Sequence, residues 1–263
     1  MESLEPDWEE RRRAHERRVD ALIGDHLARR RSGIKHPVLD FLFTYYSFRP
    51  AQLRRWHPGL GESGGEPVKV RRDSVRWIHD LLVATANRPG HFGCFGMHEW
   101  AMVYRQSQQE LRHNAWPLRL SPERTAAVVE ERGVHCSHFD AFRFFTPAAR
   151  PLNVLTPTRE SQIELDQPGC LHANMDLYKW SYKLYTVAPS ELIADCFELA
   201  LDIRALDMRA SPYDLADLGY APVRIETPEG RAEYAAAQRA NARRAAPLRQ
   251  RLIEICATAL RDI

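Results

Sequence analysis

The sequence predicts a mainly α-helical protein with a small β element around residues 134–156, folded as a single compact helical domain over residues 1–263. Three observations predict this class. An apolar stripe with helical spacing runs through residues 7–31, serine, proline and glycine stand where helices would begin and end, and no repeat of fixed period is visible. With 263 residues, of which 44% are hydrophobic and 27% charged, the chain can bury a substantial core.

The two ends of the chain are predicted to be peripheral helices. In residues 7–31, apolar side chains such as Val19 and Ile23 form one stripe surrounded by charge, and Gly33 ends the segment. Residues 228–262 are rich in alanine and arginine and predict a long closing helix.

Between these ends, helix boundaries are visible at several places. Ser121 is typical of an N-cap, Pro122 of a first turn and Gly133 of a helix end. Residues 134–145 and 152–155, rich in aromatic and apolar side chains, are the predicted short strands, and the glycines of residues 59–65 predict a loop. The remaining predicted helices are 72–87, 97–111, 172–185 and 191–208.

Composition excludes some classes of protein. A net charge of +2 gives no electrostatic reason to expect nucleic-acid binding. No apolar run approaches the roughly 18 residues of a membrane span, so no membrane partner is expected. The acidic, polar N-terminus is not typical of a secretory signal, and five cysteines without CxxC spacing indicate reduced thiols, so a cytoplasmic location is expected.

Residues 91–140 hold five of the eleven histidines, which predicts a polar site of the kind found in enzymes. His135, His138 and Asp140 are the sharpest constellation, and three interpretations stay open. With His98 they would bind iron or zinc; without a metal, His138 would be a general base, with Asp140 as its partner or as an independent carboxylate; or the group is a buried structural network. Glu99 follows His98, but the second histidine of an HExxH motif is missing.

A second constellation follows at residues 172–179. On a helix, His172, Asp176 and Lys179 share one face, with Asn174 close by, and Lys179 would hold Asp176 ionised. The alternative is a cap and an ordinary surface ion pair. Cys136, between two histidines, is either a nucleophile or a core residue.

Two further patterns have alternative interpretations. Residues 41–57 interleave aromatic and basic side chains, as a base-stacking and phosphate-binding surface would, or as a helix burying its aromatics would; these side chains are Tyr45, Tyr46, Trp56, Arg49, Arg54 and Arg55. An acidic stripe recurs along residues 191–202, and we expect arginines of the first or last helix to neutralise it; it consists of Glu191, Asp195, Glu198 and Asp202.

Two runs, HPVLDFLFTYYSFRPAQLRRWHPG at residues 36–59 and CLHANMDLYKW at residues 170–180, resemble a bacterial family common in GC-rich actinobacteria and labelled 3-methyladenine DNA glycosylase. The resemblance covers nearly the whole chain. It implies an enzyme of DNA repair, a hydrolase that acts on DNA and cleaves the N-glycosidic bond of alkylated purines. Such an enzyme extrudes a base, stacks it on aromatic rings and stabilises positive charge with a carboxylate. The chain lacks a helix-hairpin-helix segment and the repeated helical pairs of other glycosylases.

The leading hypothesis from the sequence is therefore a DNA glycosylase without a metal or other cofactor. Asp140 is the first candidate carboxylate, with His138 positioning water; the other catalytic candidates are Asp176, His172 and Glu99. Substrate-binding candidates are Tyr45, Tyr46, Trp56, Arg49, Arg54, Arg55, Asn174 and Lys179. The first alternative is a metal-dependent oxygenase or hydrolase that uses iron or zinc at His135, His138, Asp140 and His98. The second is a helical module that binds nucleic acid or protein.

Overall fold

The computed structural model describes residues 8–60 and 69–262, and these ranges are built almost entirely from helices. Their eleven α-helices are α1 (Trp8–Arg31), α2 (Leu39–Thr44), α3 (Pro50–Arg54), α4 (Arg72–Ala86), α5 (Met97–Ala101), α6 (Pro122–Arg132), α7 (Phe139–Phe142), α8 (Gln162–Leu165), α9 (Leu171–Lys183), α10 (Ser190–Ala210) and α11 (Pro228–Asp262). The mainly α class is confirmed. From residue 61 on, the predicted glycine loop lies outside the described residues.

The predicted β element is reduced to a single parallel bridge between Val134 and Asn153. The side chain of Asn153 replaces a strand ladder, because its Oδ1 accepts from the Cys136 N–H at 2.7 Å and its Nδ2 donates to the Cys136 carbonyl at 2.9 Å. Directly after His138 the chain turns into α7. The prediction of a strand through residues 134–145 is therefore wrong beyond this bridge.

The predicted helix over residues 97–111 is also too long, since α5 ends at Ala101. Its carbonyl there accepts from the Thr146 N–H at 3.3 Å, and Arg105 has a φ of +56°, which an α-helix does not allow. The start of α5 is a sharp turn at Gly96, whose φ is +72° and whose missing Cβ would lie 3.4 Å from the ring of Tyr234. Glycine therefore suits this turn.

The chain divides into two compact units. Unit 1 takes its described residues from 8–60, 69–82, 175–201 and 247–262, and unit 2 consists of residues 83–174 and 202–246. That residues 1–263 form one domain stays a prediction. None of the helices in the described ranges combines the length and apolar character that crossing a membrane requires.

The arginines expected to neutralise the acidic stripe of α10 are present, and they come from α1 and α11. In unit 1, Glu191 pairs with Arg11 at 3.1 Å, Asp195 with Arg18 at 2.9 Å and with Arg251 at 3.0 Å, and Glu198 with Arg18 at 2.8 Å. In unit 2, Asp202 pairs with Arg244 at 2.7 Å. The structural interpretation of this stripe is confirmed.

Within unit 2, packing against α10 fixes the position of α5. Trp100 is fully buried, and its indole N–H donates to the carbonyl of Ala210 at 2.9 Å. Because Trp100 follows His98 and Glu99 directly, this anchor holds their side chains in the interior of the unit.

Candidate functional site

Unit 2 brings together three histidines that are far apart in sequence. His98 lies on α5, His138 precedes α7, and His172 lies in the first turn of α9. The ring centroids of His98 and His172 are 4.4 Å apart, and those of His138 and His172 are 5.4 Å apart with nearly parallel planes. The stretches around residues 98, 138 and 172 therefore meet in the interior of unit 2.

His98 belongs to a buried network of charges. Its Nε2 lies 2.8 Å from Oδ1 of Asp207, and Arg204 donates from one nitrogen to Asp207 Oδ2 and to Glu99 Oε1, both at 2.7 Å. All four side chains are at most 6% exposed. Two positive and two negative groups thus balance inside the unit, which is how buried charges are tolerated.

The network gives the neighbouring side chains of His98 and His172 different protonation states. Burial would lower the pKa of His98, but Asp207 outweighs it and holds that pKa well above 6.5. Burial would raise the pKa of Asp207, but His98 and Arg204 hold it below its usual range. Burial lowers the pKa of His172 well below 6.5, and the nearby charge of His98 lowers it further. At neutral pH, His98 is therefore a cation and His172 a neutral imidazole. Burial also raises the pKa of Glu99.

His98, His172 and Asp207 can provide a metal site. One ring nitrogen of each histidine and one oxygen of Asp207 all lie within 4.8 Å of one another. In the described part of the chain, nothing hydrogen-bonds to a ring nitrogen of His172. A neutral, nine-tenths buried imidazole without a partner has a lone pair to offer a ligand.

A small cavity borders this cluster. Its volume of about 10 Å³ leaves room for about one water molecule. One lining side chain, Gln238, donates from Nε2 to the Gly169 carbonyl at 2.6 Å, while its buried Oε1 accepts no hydrogen bond within the described ranges. The polar side chains that border the cavity include Cys94, His98, His135, Cys170, His172 and Gln238.

His138 has a partner that the sequence did not predict. Its Nδ1 lies 2.9 Å from Oδ1 of Asp166, at the end of α8, and Asp166 Oδ2 accepts from Gln162 Nε2 at 3.0 Å. Asp140 Oδ1 instead accepts from Arg159 at 2.9 Å and from Arg143 at 3.2 Å. His138 and Asp140 nevertheless lie close together, because a ring nitrogen of His138 and a carboxylate oxygen of Asp140 are within 4.8 Å of each other.

Of the predicted metal set of His135, His138, Asp140 and His98, only His138 and Asp140 lie together. His135 is exposed, with its ring 6.3 Å from that of His91, and His98 pairs with Asp207. Cys136 is a core residue, because it is buried and burial raises the pKa of its thiol well above 9. All five cysteines are free thiols, as expected.

Asp176 and its predicted partner Lys179 lie in unit 1. Lys179 Nζ donates to Asp176 Oδ2 at 3.0 Å, and the Tyr46 hydroxyl donates to Oδ1 at 2.9 Å. The predicted ion pair is confirmed, but Asp176 is 1% exposed, so this is not an ordinary surface pair. Asn174 lies in unit 2, where it is buried and donates to the carbonyl of Pro168.

The aromatic and basic side chains of residues 41–57 do not share one environment. Tyr46 is buried against Tyr45, with ring centroids 4.9 Å apart, whereas Trp56 stacks on Trp8 at 6.3 Å and donates to Glu191. Arg54 pairs with Asp20 at 2.7 Å. Arg49 and Arg55 are exposed. These contacts do not join Tyr45, Tyr46 and Trp56 in one pocket.

The sequence did not predict four residues of this site, which are Asp207, Arg204, Asp166 and Gln238. For two of them a sequence signal exists, because at 100° per residue Arg204 and Asp207 fall on the face of α10 opposite the acidic stripe. That face is otherwise apolar, and charges on an apolar face indicate a buried ion pair. Asp166 and Gln238 carry no comparable pattern.

Searches against protein-family models, curated proteins and solved structures gave no match to the chain.

Proposed function

We propose that this chain is a metal-dependent enzyme whose ion is bound by His98, His172 and Asp207. The observation that carries the proposal is the neutral His172 imidazole, which is buried, without a hydrogen bond among the described residues, and within 4.8 Å of its two prospective co-ligands. Two imidazoles and one carboxylate are a ligand set that both zinc and non-haem iron accept.

The surroundings fit such an ion. Ligand atoms about 2.1 Å from an ion stand roughly 3.3 Å apart, so the 2.8 Å pair of His98 and Asp207 would open slightly as His98 loses its proton. Arg204 already holds the second oxygen of Asp207, as the supporting residues of metal sites do. Three protein ligands leave a position for water, and the adjoining cavity has room for about one.

The identity of the metal selects the reaction class. Zinc supplies a Lewis acid for hydrolysis, and iron supplies redox chemistry with dioxygen. Within either class, the chain's own residues hold the ion, neutralise its charge through Asp207 and exclude bulk water from the cluster.

Elemental analysis of the purified full chain tests the proposal. We expect about one zinc or iron per chain, lost in His172→Ala and retained in the control His135→Ala, whose exposed imidazole borders the same cavity. Because His172 is buried, its truncation should also lower the melting temperature, so circular dichroism is used to check that the variant is folded. Wild-type protein that stays metal-free after incubation with zinc or ferrous iron, or a His172→Ala variant that binds metal like the control, would overturn it.

Base-excision N-glycosylase activity on alkylated purines is the second candidate. It is favoured by the contact between Tyr46, a predicted stacking ring, and Asp176, a predicted carboxylate. We place Asp176 ahead of Asp140 because two arginines engage Asp140, whereas one lysine engages Asp176. A buried carboxylate beside an aromatic ring suits the positive charge of an alkylated purine and of the sugar in the transition state.

Release of free 3-methyladenine from methylated DNA tests this second candidate. We expect Asp176→Asn to slow release by at least about 100-fold, the scale of losing one electrostatic stabiliser, with Asp140→Asn as the matched control. Equal rates for wild type and both variants would reject the assignment, and no release at all would reject the activity. A chelator should leave this activity intact, whereas it should abolish a metal-dependent one.

A further inference from the structure

Gln238 in unit 2 is a buried amide whose orientation is determined by its neighbour. Its side chain lies 2.6 Å from the carbonyl oxygen of Gly169, and a carbonyl oxygen can only accept a hydrogen bond. The amide nitrogen Nε2 therefore faces Gly169, and Oε1 is on the other side of the amide. Within the described ranges this buried Oε1 accepts no hydrogen bond, and Gln238 as a whole is 1% exposed. Such an oxygen is costly to bury unless a donor reaches it.

Tyr234 stands one helical turn before Gln238 on α11, so the two side chains lie on the same face of the helix. Tyr234 is also 1% exposed, and its hydroxyl makes no hydrogen bond to any described residue. A Cβ on Gly96 would lie 3.5 Å from the hydroxyl oxygen, which places this oxygen at the start of α5. Burial is the main cause that raises the pKa of Tyr234 well above 10, so the hydroxyl keeps its hydrogen and can donate it.

Both side chains border the small cavity beside the histidine cluster. Cavities hold water where they offer about two to four polar partners, whereas apolar cavities stay dry. Here Oε1 of Gln238 needs a hydrogen and the hydroxyl of Tyr234 has one to give. Water satisfies both groups at once, because it donates and accepts hydrogen bonds.

We propose that Gln238 and Tyr234 hold a water molecule in this cavity, which donates to Oε1 of Gln238 and accepts from the Tyr234 hydroxyl. The cavity has room for about one water, and His172 borders it too. The bound water therefore lies beside a prospective ligand of the ion.

The water site follows from the hydrogen bonds and the cavity alone, whereas its use rests on the proposed metal-dependent function. In that function, the water occupies the position that three protein ligands leave open on the ion. Gln238 and Tyr234 then determine which small molecule binds there. Dioxygen carries no hydrogen that Oε1 could accept, so these two residues favour water over dioxygen at the ion.

A crystal structure of the full chain, stripped of metal with a chelator, tests the site directly. We expect one water oxygen in the cavity, within about 3.2 Å of both Oε1 of Gln238 and the hydroxyl oxygen of Tyr234. Removal of metal ensures that the density does not belong to an ion. An empty cavity, or a water that misses either group, would overturn the proposal.

Oxygen-17 relaxation dispersion of water tests the same site in solution, because it measures how long a buried water stays bound. Tyr234→Phe removes only the donor, and we expect the residence time to fall by about 5-fold, the scale of losing one hydrogen bond. The control Tyr104→Phe removes a hydroxyl that binds Glu130 away from the cavity and should leave the residence time unchanged.

Equal residence times in Tyr234→Phe and wild type would overturn the role of Tyr234. If that variant does not fold, the wild-type crystal structure alone still decides. Both measurements use metal-free protein and metal content is measured separately, so the water site and the metal site fail or stand independently.

Discussion

At the scale of single residues, Arg204 is the side chain that allows the carboxylates of Glu99 and Asp207 to be buried in unit 2. It is 1% exposed and binds the carboxylates of both Glu99 and Asp207 at 2.7 Å. With His98 protonated, the four groups sum to zero charge. Burial alone would lower the pKa of Arg204, but the two carboxylates outweigh it and raise that pKa.

Replacement of Arg204 should therefore be among the more damaging single changes in unit 2. Arg204→Met keeps most of the volume but leaves two buried carboxylates with one cation, which should lower the free energy of unfolding by about 3–5 kcal/mol. The control Arg244→Ala removes the exposed pair with Asp202 and should cost less than about 1 kcal/mol. Urea unfolding at pH 7.5 measures both, and equal losses would contradict the assigned role.

Sequence clustering predicted the histidines of the site but not their partners. His98, His138 and His172 stand out because histidine is uncommon and three stretches repeat it. Asp166 is 28 positions from His138 and Asp207 is 109 positions from His98, and such pairing depends on how helices pack rather than on local spacing. The apolar face of α10 on which Asp207 lies is the one local sign that was available.

At the scale of elements, prediction succeeded where helix ends are determined by local hydrogen bonds. The Ser121 side chain accepts from the Arg124 N–H at 3.2 Å, as an N-cap should, and Gly133 ends α6 with a φ of +67°. The closing helix has the predicted bounds, even though Pro247 lies inside it. Each of these signals is contained within a few residues.

The prediction of helix and strand boundaries failed where residues distant in sequence determine them. The carbonyl of Ala101 is taken by Thr146, so α5 stops long before the apolar pattern does. The strand predicted after Val134 is replaced because an amide side chain, Asn153, binds both peptide groups of Cys136. Aromatic content predicted burial there correctly, but burial alone does not distinguish a strand from a short helix.

At the scale of the whole molecule, buried and half-buried histidines determine how stability responds to acid. Burial is the largest cause that lowers the pKa of five of them, in both units: His15, His26, His36, His113 and His172. For these groups the unfolded chain binds protons more readily, so stability is lost as pH falls below 6.5. His98 acts in the opposite direction, because its raised pKa contributes stability that is full below 6.5 and is lost as pH rises through the folded value.

His113 offers a direct test of this pH dependence, since its pKa in the folded protein is lowered from 6.5 to about 4, chiefly by burial and then by the charges of Arg204 and Arg112. At pH 7.5 the residue is neutral in both states. Between pH 6.5 and 4 only the unfolded chain takes up the proton, so by pH 5 the wild type should lose about 2 kcal/mol of stability through this residue. In His113→Gln that contribution is absent, so the loss between pH 7.5 and 5 should be smaller by about that amount in urea unfolding. Equal losses in the two proteins would mean that His113 titrates alike in the folded and unfolded states, and would contradict the lowered pKa assigned to it.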